Sequence, residues 1–316
     1  MTRPPWGRPL PGNRWDLLAG ERPERPPSVT VVVTHYEQHA ALARTLHALG
    51  RQTHPADRLQ VVVADDGSRV PPDVPPGVRL VRQDDRGFRA AAARNLGAAA
   101  AEGDVLVFLD ADTTPEPGYV EAVTRLTALA PDTVTVGRRE HADLSKVGTS
   151  EPVEVAGPAH RLETPGWLVD GYDRSRDLLD ADDGSYRYVI SAVCACSRWL
   201  FGEVGGFDES FEGYGGEDWE WADRAWRHGA LLAHVPDAVA WHDGPDWSGR
   251  AGAERQADKN AETVRLLPFG LPGLRPQGIR TAPAEVEVVL PDGPSPEAAL
   301  VCVDAVLAAL PDALAD

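Results

Sequence analysis

Two apolar runs that stop on aspartate constrain this chain more than any other feature. Leu59–Ala64 ends on Asp65-Asp66-Gly67-Ser68, and Val105–Leu109 ends on Asp110-Ala111-Asp112. Runs of this length, closed by turn-forming residues, read as strands buried on both faces. Val29–Thr34 and the shorter Val78–Arg82 have the same character. Between them lie helical segments: Leu42, Leu46 and Leu49 share one face of Ala40–Gln52, and an alanine-rich stretch spans Ala90–Glu102. This alternation predicts an α/β fold with a doubly wound, mostly parallel sheet and helices on both faces. Ligands in such sheets gather at the carboxyl ends of the strands, where both acidic turns stand.

Between Arg138 and Arg187 the pattern weakens into polar sequence broken by Pro and Gly. It resumes with a strand near Val189–Cys196, a loop rich in Gly and acids over Gly205–Glu217, and a helix over Asp218–His228. Short strands near Leu231–Val235 and Ala238–Trp241 follow. Near the C-terminus, Val286–Leu290 and then Ala298–Leu310 echo the opening strand and helix, as an extra βα unit would.

A net charge of −18 disfavours sequence-independent binding to nucleic acid, which needs Lys and Arg to displace counterions from phosphate. No stretch approaches the ~20 apolar residues of a membrane span, and Met1–Pro27 has no apolar signal core, so a cytoplasmic location is expected. Three cysteines make no disulfide framework. Cys194 and Cys196, two apart in an apolar run, read as reduced core residues, with metal ligation the lesser alternative.

An isolated D-x-D triplet is more often a solvated acid pair than a site. At the end of an all-apolar strand, however, Asp110-Ala111-Asp112 suits a hard divalent cation able to hold the oxygens of a nucleotide diphosphate. Asp65-Asp66-Gly67-Ser68 supplies a second acidic turn, suited to a base or a ribose hydroxyl. Thr34-His35-Tyr36-Glu37-Gln38-His39 follows the first strand without a glycine, which argues against a dinucleotide enzyme.

Glu217, Asp218 and Glu220 complement the dipole of the helix they open. A carboxylate there can also deprotonate an attacking hydroxyl, with Asp218 the first candidate and Glu217 the second. His242 ends an apolar run and is either a structural residue or a ligand to a metal already held by carboxylates; His234 competes less well. Sugar rings stack on aromatic faces, so among Trp219, Trp221, Trp226, Trp241 and Trp247 the acceptor candidate is Trp219, beside the proposed base. Most of the others read as core.

Several motifs in order make Val29 to Asn260 resemble a family 2 glycosyltransferase of the GT-A fold. They are Thr34-His35-Tyr36-Glu37, Asp65–Ser68, Gly87-Phe88-Arg89 with Ala93–Gly97, Phe108–Asp112, Gly205–Glu209 and Gly215–Asp218. The stretch from Gly87 to Asp112 is similar to the transferase modules of bacterial chondroitin-type polymerases. The Gly215-Gly216-Glu217-Asp218 loop is similar to that of galactosyl- and N-acetylgalactosaminyltransferases.

The resemblance implies a nucleotide diphosphate-sugar donor, usually a UDP-sugar, held by Thr34, Tyr36, Glu37, Asp65, Arg94, Asp110 and Ala111. It places Tyr36 and Asp65 at the base, Arg94 near the diphosphate, and Asp110 at ribose or metal. Asp112 and His242 would bind Mn2+ or Mg2+, and Asp218 would be the base of an inverting displacement. The acceptor would be a glycan, a lipid-linked glycan or a small molecule. Thr34-His35 stands where many relatives have Pro-Thr, and Ala111 separates the aspartates; both bear on base preference and the sugar pocket. One module rather than two favours a single-linkage transferase. The expected domains are a leader over 1–27, a GT-A domain over 28–265 with nucleotide-sugar (28–137) and acceptor (138–265) halves, and a βα extension over 266–316.

Two rivals fare worse. A sugar nucleotidyltransferase would carry a Gly-rich, basic loop where Thr34–His39 stands. A catalytically silent sugar- or protein-binding module of this fold would have no need to keep Asp110, Asp112, Asp218 and His242 together.

Overall fold

A computed structural model describes residues 4–245, 262–272, 286–288, 295–309 and 313–315. The chain divides into two compact units, one of residues 1–213 and 217–248, the other of 214–216 and 249–316. In the first unit eight strands form one sheet. β1 (Val29–His35), β2 (Leu59–Asp65), β3 (Val78–Arg82) and β4 (Val105–Asp110) are those expected from the sequence. β5 (Thr113–Pro115), β6 (Thr133–Ala142), β7 (Val193–Ser197) and β8 (Leu231–Asp243) complete it, in the order β3-β2-β1-β4-β7-β6-β8-β5. Pairing is parallel from β3 through β4 and between β6 and β8; β7 runs against both its neighbours, and β5 against β8.

The helices are α1 (His39–Leu49), α2 (Ala90–Ala99), α3 (Tyr119–Leu129), α4 (Val153–Ala159), α5 (Gly166–Arg174), α6 (Arg198–Val204) and α7 (Glu217–Arg227). Helix α2 lies so close to the sheet that a Cβ on Gly97 would sit 2.3 Å from Val32 Cγ1, and its Ala90–Ala93 are all buried. The small residues set that approach. Helix α6 starts on the Ser197 hydroxyl, which accepts from the Leu200 N–H at 2.9 Å, and stops on Gly205 at φ 91°.

Several expectations shift. The alanine-rich helix ends at Ala99 rather than Glu102, and the strand expected from Val189 begins at Val193. The two short strands around Leu231–Trp241 are one strand, β8, whose ladder with β6 slips at Gly137/Arg138. Residues 4–27 pack on α3: Leu18 joins Leu126, Ala130, Leu231 and Ala233 in one apolar cluster, and Arg125 donates to the carbonyls of Leu18 and Glu21.

The second unit contains β9 (Val286–Val288) and β10 (Ala313–Ala315), paired in parallel, with α8 (Pro296–Ala309) between them in sequence. The expected βα unit is thus followed by a further strand; Leu290, Leu310, Trp247 and Asn260 lie outside the described residues. Among the described residues no helix is long and apolar enough to cross a membrane.

Candidate functional site

The ladder brings the acidic turns to one rim: Thr34 pairs with Asp110, and His35 with Asp65. Just beyond β4 the chain turns into β5, where Thr113 pairs with His242 and the Asp243 N–H donates to the Asp112 carbonyl at 2.8 Å. That register sets Asp112 Oδ2 3.8 Å from His242 Nε2. His242 Nδ1 lies 3.2 Å from the Gly244 carbonyl, which can only accept, so Nδ1 carries a proton and Nε2 is the ring atom turned toward Asp112. With a neutral ring this geometry offers Nε2 and a carboxylate oxygen side by side, donors of the kind a divalent cation takes. Gln38 Nε2 donates to the same Asp112 oxygen at 2.8 Å.

The three expected metal ligands do not converge as a set. Asp110 Oδ1 is drawn to Arg94 Nη2 at 2.9 Å, and among the described residues no three His, Cys, Asp or Glu side chains make a ready cage. Asp112 and His242 remain as a pair. A divalent ion that keeps most of its sites for phosphate oxygens and water needs no more from the protein.

Arg94 is 3% exposed, and its other end, Nη1, donates to Glu217 Oε1 at 2.8 Å. The two carboxylates raise its pKa against the pull of burial. Its guanidinium carbon lies 5.6 Å from the centre of the Phe207 ring, and Asn95 exchanges hydrogen bonds with the Phe207 backbone at 2.8 and 2.9 Å. The Ala93–Gly97 motif is thus a connector: Arg94 holds two acids, Asn95 docks the Gly206-Phe207 turn, and Gly97 meets the sheet. Both ends of Arg94 are engaged by carboxylates, so the diphosphate contact expected of it is not an open one.

Asp65 is fully buried. Burial alone would raise its carboxyl, but hydrogen bonds from Ser68, Arg82 and His35 hold it below the ordinary range. Oδ1 takes His35 Nδ1 at 2.8 Å and the Ser68 hydroxyl at 2.5 Å; Oδ2 takes Arg82 Nε at 2.8 Å. A base contact from Asp65 would have to displace one of these. Neighbouring Tyr36 is 45% exposed. Glu37 adopts φ 56°, fixed by its N–H on Ser68 Oγ at 2.9 Å and its Oε1 on the Arg69 N–H at 2.8 Å. Thr34 Oγ1 is buried without a partner among the described residues, while the Ala111 N–H donates to the Thr34 carbonyl and the Ala111 carbonyl accepts from Thr45.

On α7, Glu217 is 6% exposed with Oε1 on Arg94. Asp218 is half-buried; its Oδ2 accepts from the Ser191 N–H at 3.4 Å and its Oδ1 from the Trp219 N–H at 2.9 Å. Of the two acids Asp218 is the more exposed, at the head of a helix tied through Arg94 to the Asp110 strand end.

The family model for glycosyl transferase family 2 matches residues 30–154, and that for the N-terminal domain of galactosyltransferase matches residues 180–240. Over residues 30–154 the chain is similar to glycosyl transferase family 2. Among curated relatives, this chain is 30% identical over 270 residues to a chondroitin synthase of Escherichia coli, covering 77% of itself and 38% of that protein. It is 32% identical over 259 residues to a validoxylamine A glucosyltransferase of Streptomyces hygroscopicus subsp. limoneus, covering 76% of itself and 55% of that protein. It therefore spans well under two thirds of either relative.

The fold is GT-A. A GalNAc-T7 structure with UDP, GalNAc and Mn2+ superposes with a TM-score of 0.52 at 20% identity, over 70% of this chain and 44% of that one. The mannosyltransferase PcManGT from Pyrobaculum calidifontis, solved with GDP-Man and Mn2+, gives 0.50 at 19% identity over 83% and 73%.

The remaining candidates lie as follows. Trp221 and Trp241 are core residues, 0% and 1% exposed, and Trp226 Nε1 donates to Asp183. Trp219 is half-buried, its edge toward Tyr186 with ring centres 6.1 Å apart. His234 points away from the metal pair: its Nδ1 meets Asp177 at 2.7 Å and its ring stacks on Tyr172. Cys194 and Cys196 are buried and free, and burial pushes the Cys194 thiol up to about 12, as inert core residues require. Sequence reasoning missed Gln38 and Arg44. Arg44 is a buried arginine on α1 whose Nη1 holds Asp243 at 3.0 Å, one residue past His242. The only signal for it was a cation among the apolar residues of α1.

Proposed function

We propose that this chain transfers a sugar from a nucleotide diphosphate-sugar, a UDP-sugar by preference, to an acceptor hydroxyl with inversion, using a divalent cation held by Asp112 and His242. The observation that carries the reading is the 3.8 Å approach of Asp112 Oδ2 to His242 Nε2. A divalent cation bound there supplies charge neutralisation for the departing diphosphate. Names of relatives, a chondroitin synthase and a glucosyltransferase, and neighbours solved with UDP or GDP-Man and Mn2+ support it.

In this scheme Tyr36 lies beside the base, and the Asp65 network with Glu37 fixes the loop that carries it. Gln38 orients Asp112. Arg94 holds Asp110 against Glu217, keeping the nucleotide rim in register with the base. Asp218 takes the proton of the acceptor hydroxyl as that oxygen bonds to the anomeric carbon; the bond from that carbon to the diphosphate oxygen breaks, and the nucleotide diphosphate leaves.

Calorimetry of UDP and GDP with and without Mn2+, on wild type and Asp112→Asn, tests this. Metal-dependent UDP binding that the variant loses is the expected result. Binding indifferent to both metal and Asp112, or no nucleotide binding, would overturn it.

A further inference from the structure

A cavity of about 440 Å³, in the range of roughly 300–1,000 Å³ common for ligand clefts, opens at the carboxyl end of β6. Its wall includes Val193 and Ile190. Val193 pairs with Leu109, the residue before Asp110, and Ile190 precedes Ser191, whose N–H meets Asp218. The cavity therefore borders the chain segments that carry both the nucleotide rim and the base.

Its charged lining is balanced. Arg138, Arg139 and Arg161 face Glu140, Asp173 and Asp177, in a chain whose net charge is −18. Glu140, 3% exposed, organises this wall: it pairs with Arg138, lies 3.6 Å from Arg161 Nη2, and takes the Thr164 hydroxyl on its other oxygen at 2.8 Å. The side chains of Arg138 and Arg161 stay 47% and 51% exposed, so further N–H groups remain open to a ligand. Arg161 is steadied from behind, its guanidinium 5.3 Å from the centre of the Trp241 ring. A lining of alternating donors and acceptors without net charge matches hydroxyl groups, each of which both gives and accepts a hydrogen bond. Arg138 and Arg161 already share the Glu140 carboxylate, which tempers their pull on an anionic ligand, and an aliphatic ligand would leave these groups unpaired.

We propose that this cavity holds the acceptor and that the acceptor is a neutral, polyhydroxylated molecule, a glycoside or polyol. The inference rests on the proposed glycosyl transfer. Saturation-transfer NMR on the full chain with UDP and Mg2+ tests it, using methyl glycosides of glucose, galactose, mannose and N-acetylglucosamine beside methyl glucuronide. The expected result is binding of at least one neutral glycoside in preference to the glucuronide. That binding weakens by about tenfold or more in Arg161→Ala and in Thr164→Val, while metal-dependent UDP binding by calorimetry is unchanged. Thr164→Val removes only a hydroxyl and guards against a folding defect in the arginine variant.

Preference for the glucuronide overturns the neutral class. Neutral binding untouched in both variants overturns the cavity. Silence from all neutral probes while UDP still binds with metal overturns the inference and leaves the transferase reading standing; loss of metal-dependent UDP binding in the wild type is the separate failure of that reading.

Discussion

Arg94 Nη1 donates to Glu217 Oε1 at 2.8 Å across 123 residues of sequence. Both side chains are buried, so the pair joins α2 to α7 where water cannot substitute for either partner. Removing one member of a buried pair costs about 3–5 kcal/mol, because the other is left charged and unmatched. Arg94→Ala should lose that much in denaturant unfolding, and Arg94→Lys a substantial part of it, since one ammonium cannot fork to Asp110 and Glu217 together. A loss under about 1 kcal/mol in the alanine variant would mean the clamp is dispensable.

Asp112 and His242 should act as one unit. Asp112→Asn and His242→Gln are each expected to weaken Mn2+-dependent nucleotide binding by about tenfold or more, and the double variant by less than the product of the two. Full additivity in a calorimetric double-mutant cycle would mean that the two side chains do not share an ion.

Asp218→Asn should leave nucleotide affinity in place and lower kcat by about 10²–10⁴-fold, the usual contribution of a general base. A fall in nucleotide binding with kcat preserved would move Asp218 from proton transfer to donor recognition.

Acid should weaken the fold through its histidines. Burial holds His35, His54 and His234 below the ordinary histidine value, opposed in part by Asp65, the Pro27 carbonyl and Asp177 respectively. The unfolded chain takes up these protons first, so the stability from the neutral rings is complete above about pH 7 and declines as pH falls through about 6.5 toward the lower folded values. Asp66, raised by burial, works the opposite way nearer the carboxylate range. His54→Gln should flatten the fall in unfolding free energy between about pH 7 and 5 by up to about 1.4 kcal/mol per pH unit. An unaltered slope would exonerate that ring.

Gly97 has no room for a methyl group, its Cβ position lying 2.3 Å from Val32 Cγ1 and 3.2 Å from Ala64 Cβ. Gly97→Ala should destabilise by about 1–3 kcal/mol through overpacking. Because α2 carries Arg94, a thermal shift should come with reduced nucleotide binding; a neutral melting temperature would show that the helix can back away.

The parts of the fold legible in the sequence are those whose burial is apolar. β1 and β4 are valine- and leucine-rich and buried almost throughout, and β2 is buried over Val62–Asp65, so hydrophobicity alone reveals them. β6 was hidden because its second half, Arg138-Arg139-Glu140-His141, is polar in sequence and yet carries a buried Glu140 and His141. Glu140 is buried by pairing rather than by apolarity, a solution no hydropathy pattern records. Likewise, the sequence placed the acids at the strand ends, but not the fact that Asp65 and Asp110 are already bound by arginines. Long-range ion pairs of this kind depend on which elements become neighbours.

The reversed strand β7 has an architectural effect of its own. Because it runs antiparallel to β6, residues 143–192 leave the sheet and return to it at the same rim, as an oversized hairpin loop. A segment that leaves and returns on one rim can change in length without rethreading a crossover. Arg44 of α1 and Arg51 just beyond it nevertheless hold its first part, through the Leu144 and Val147 carbonyls and Glu154, so the room for such change lies beyond those ties.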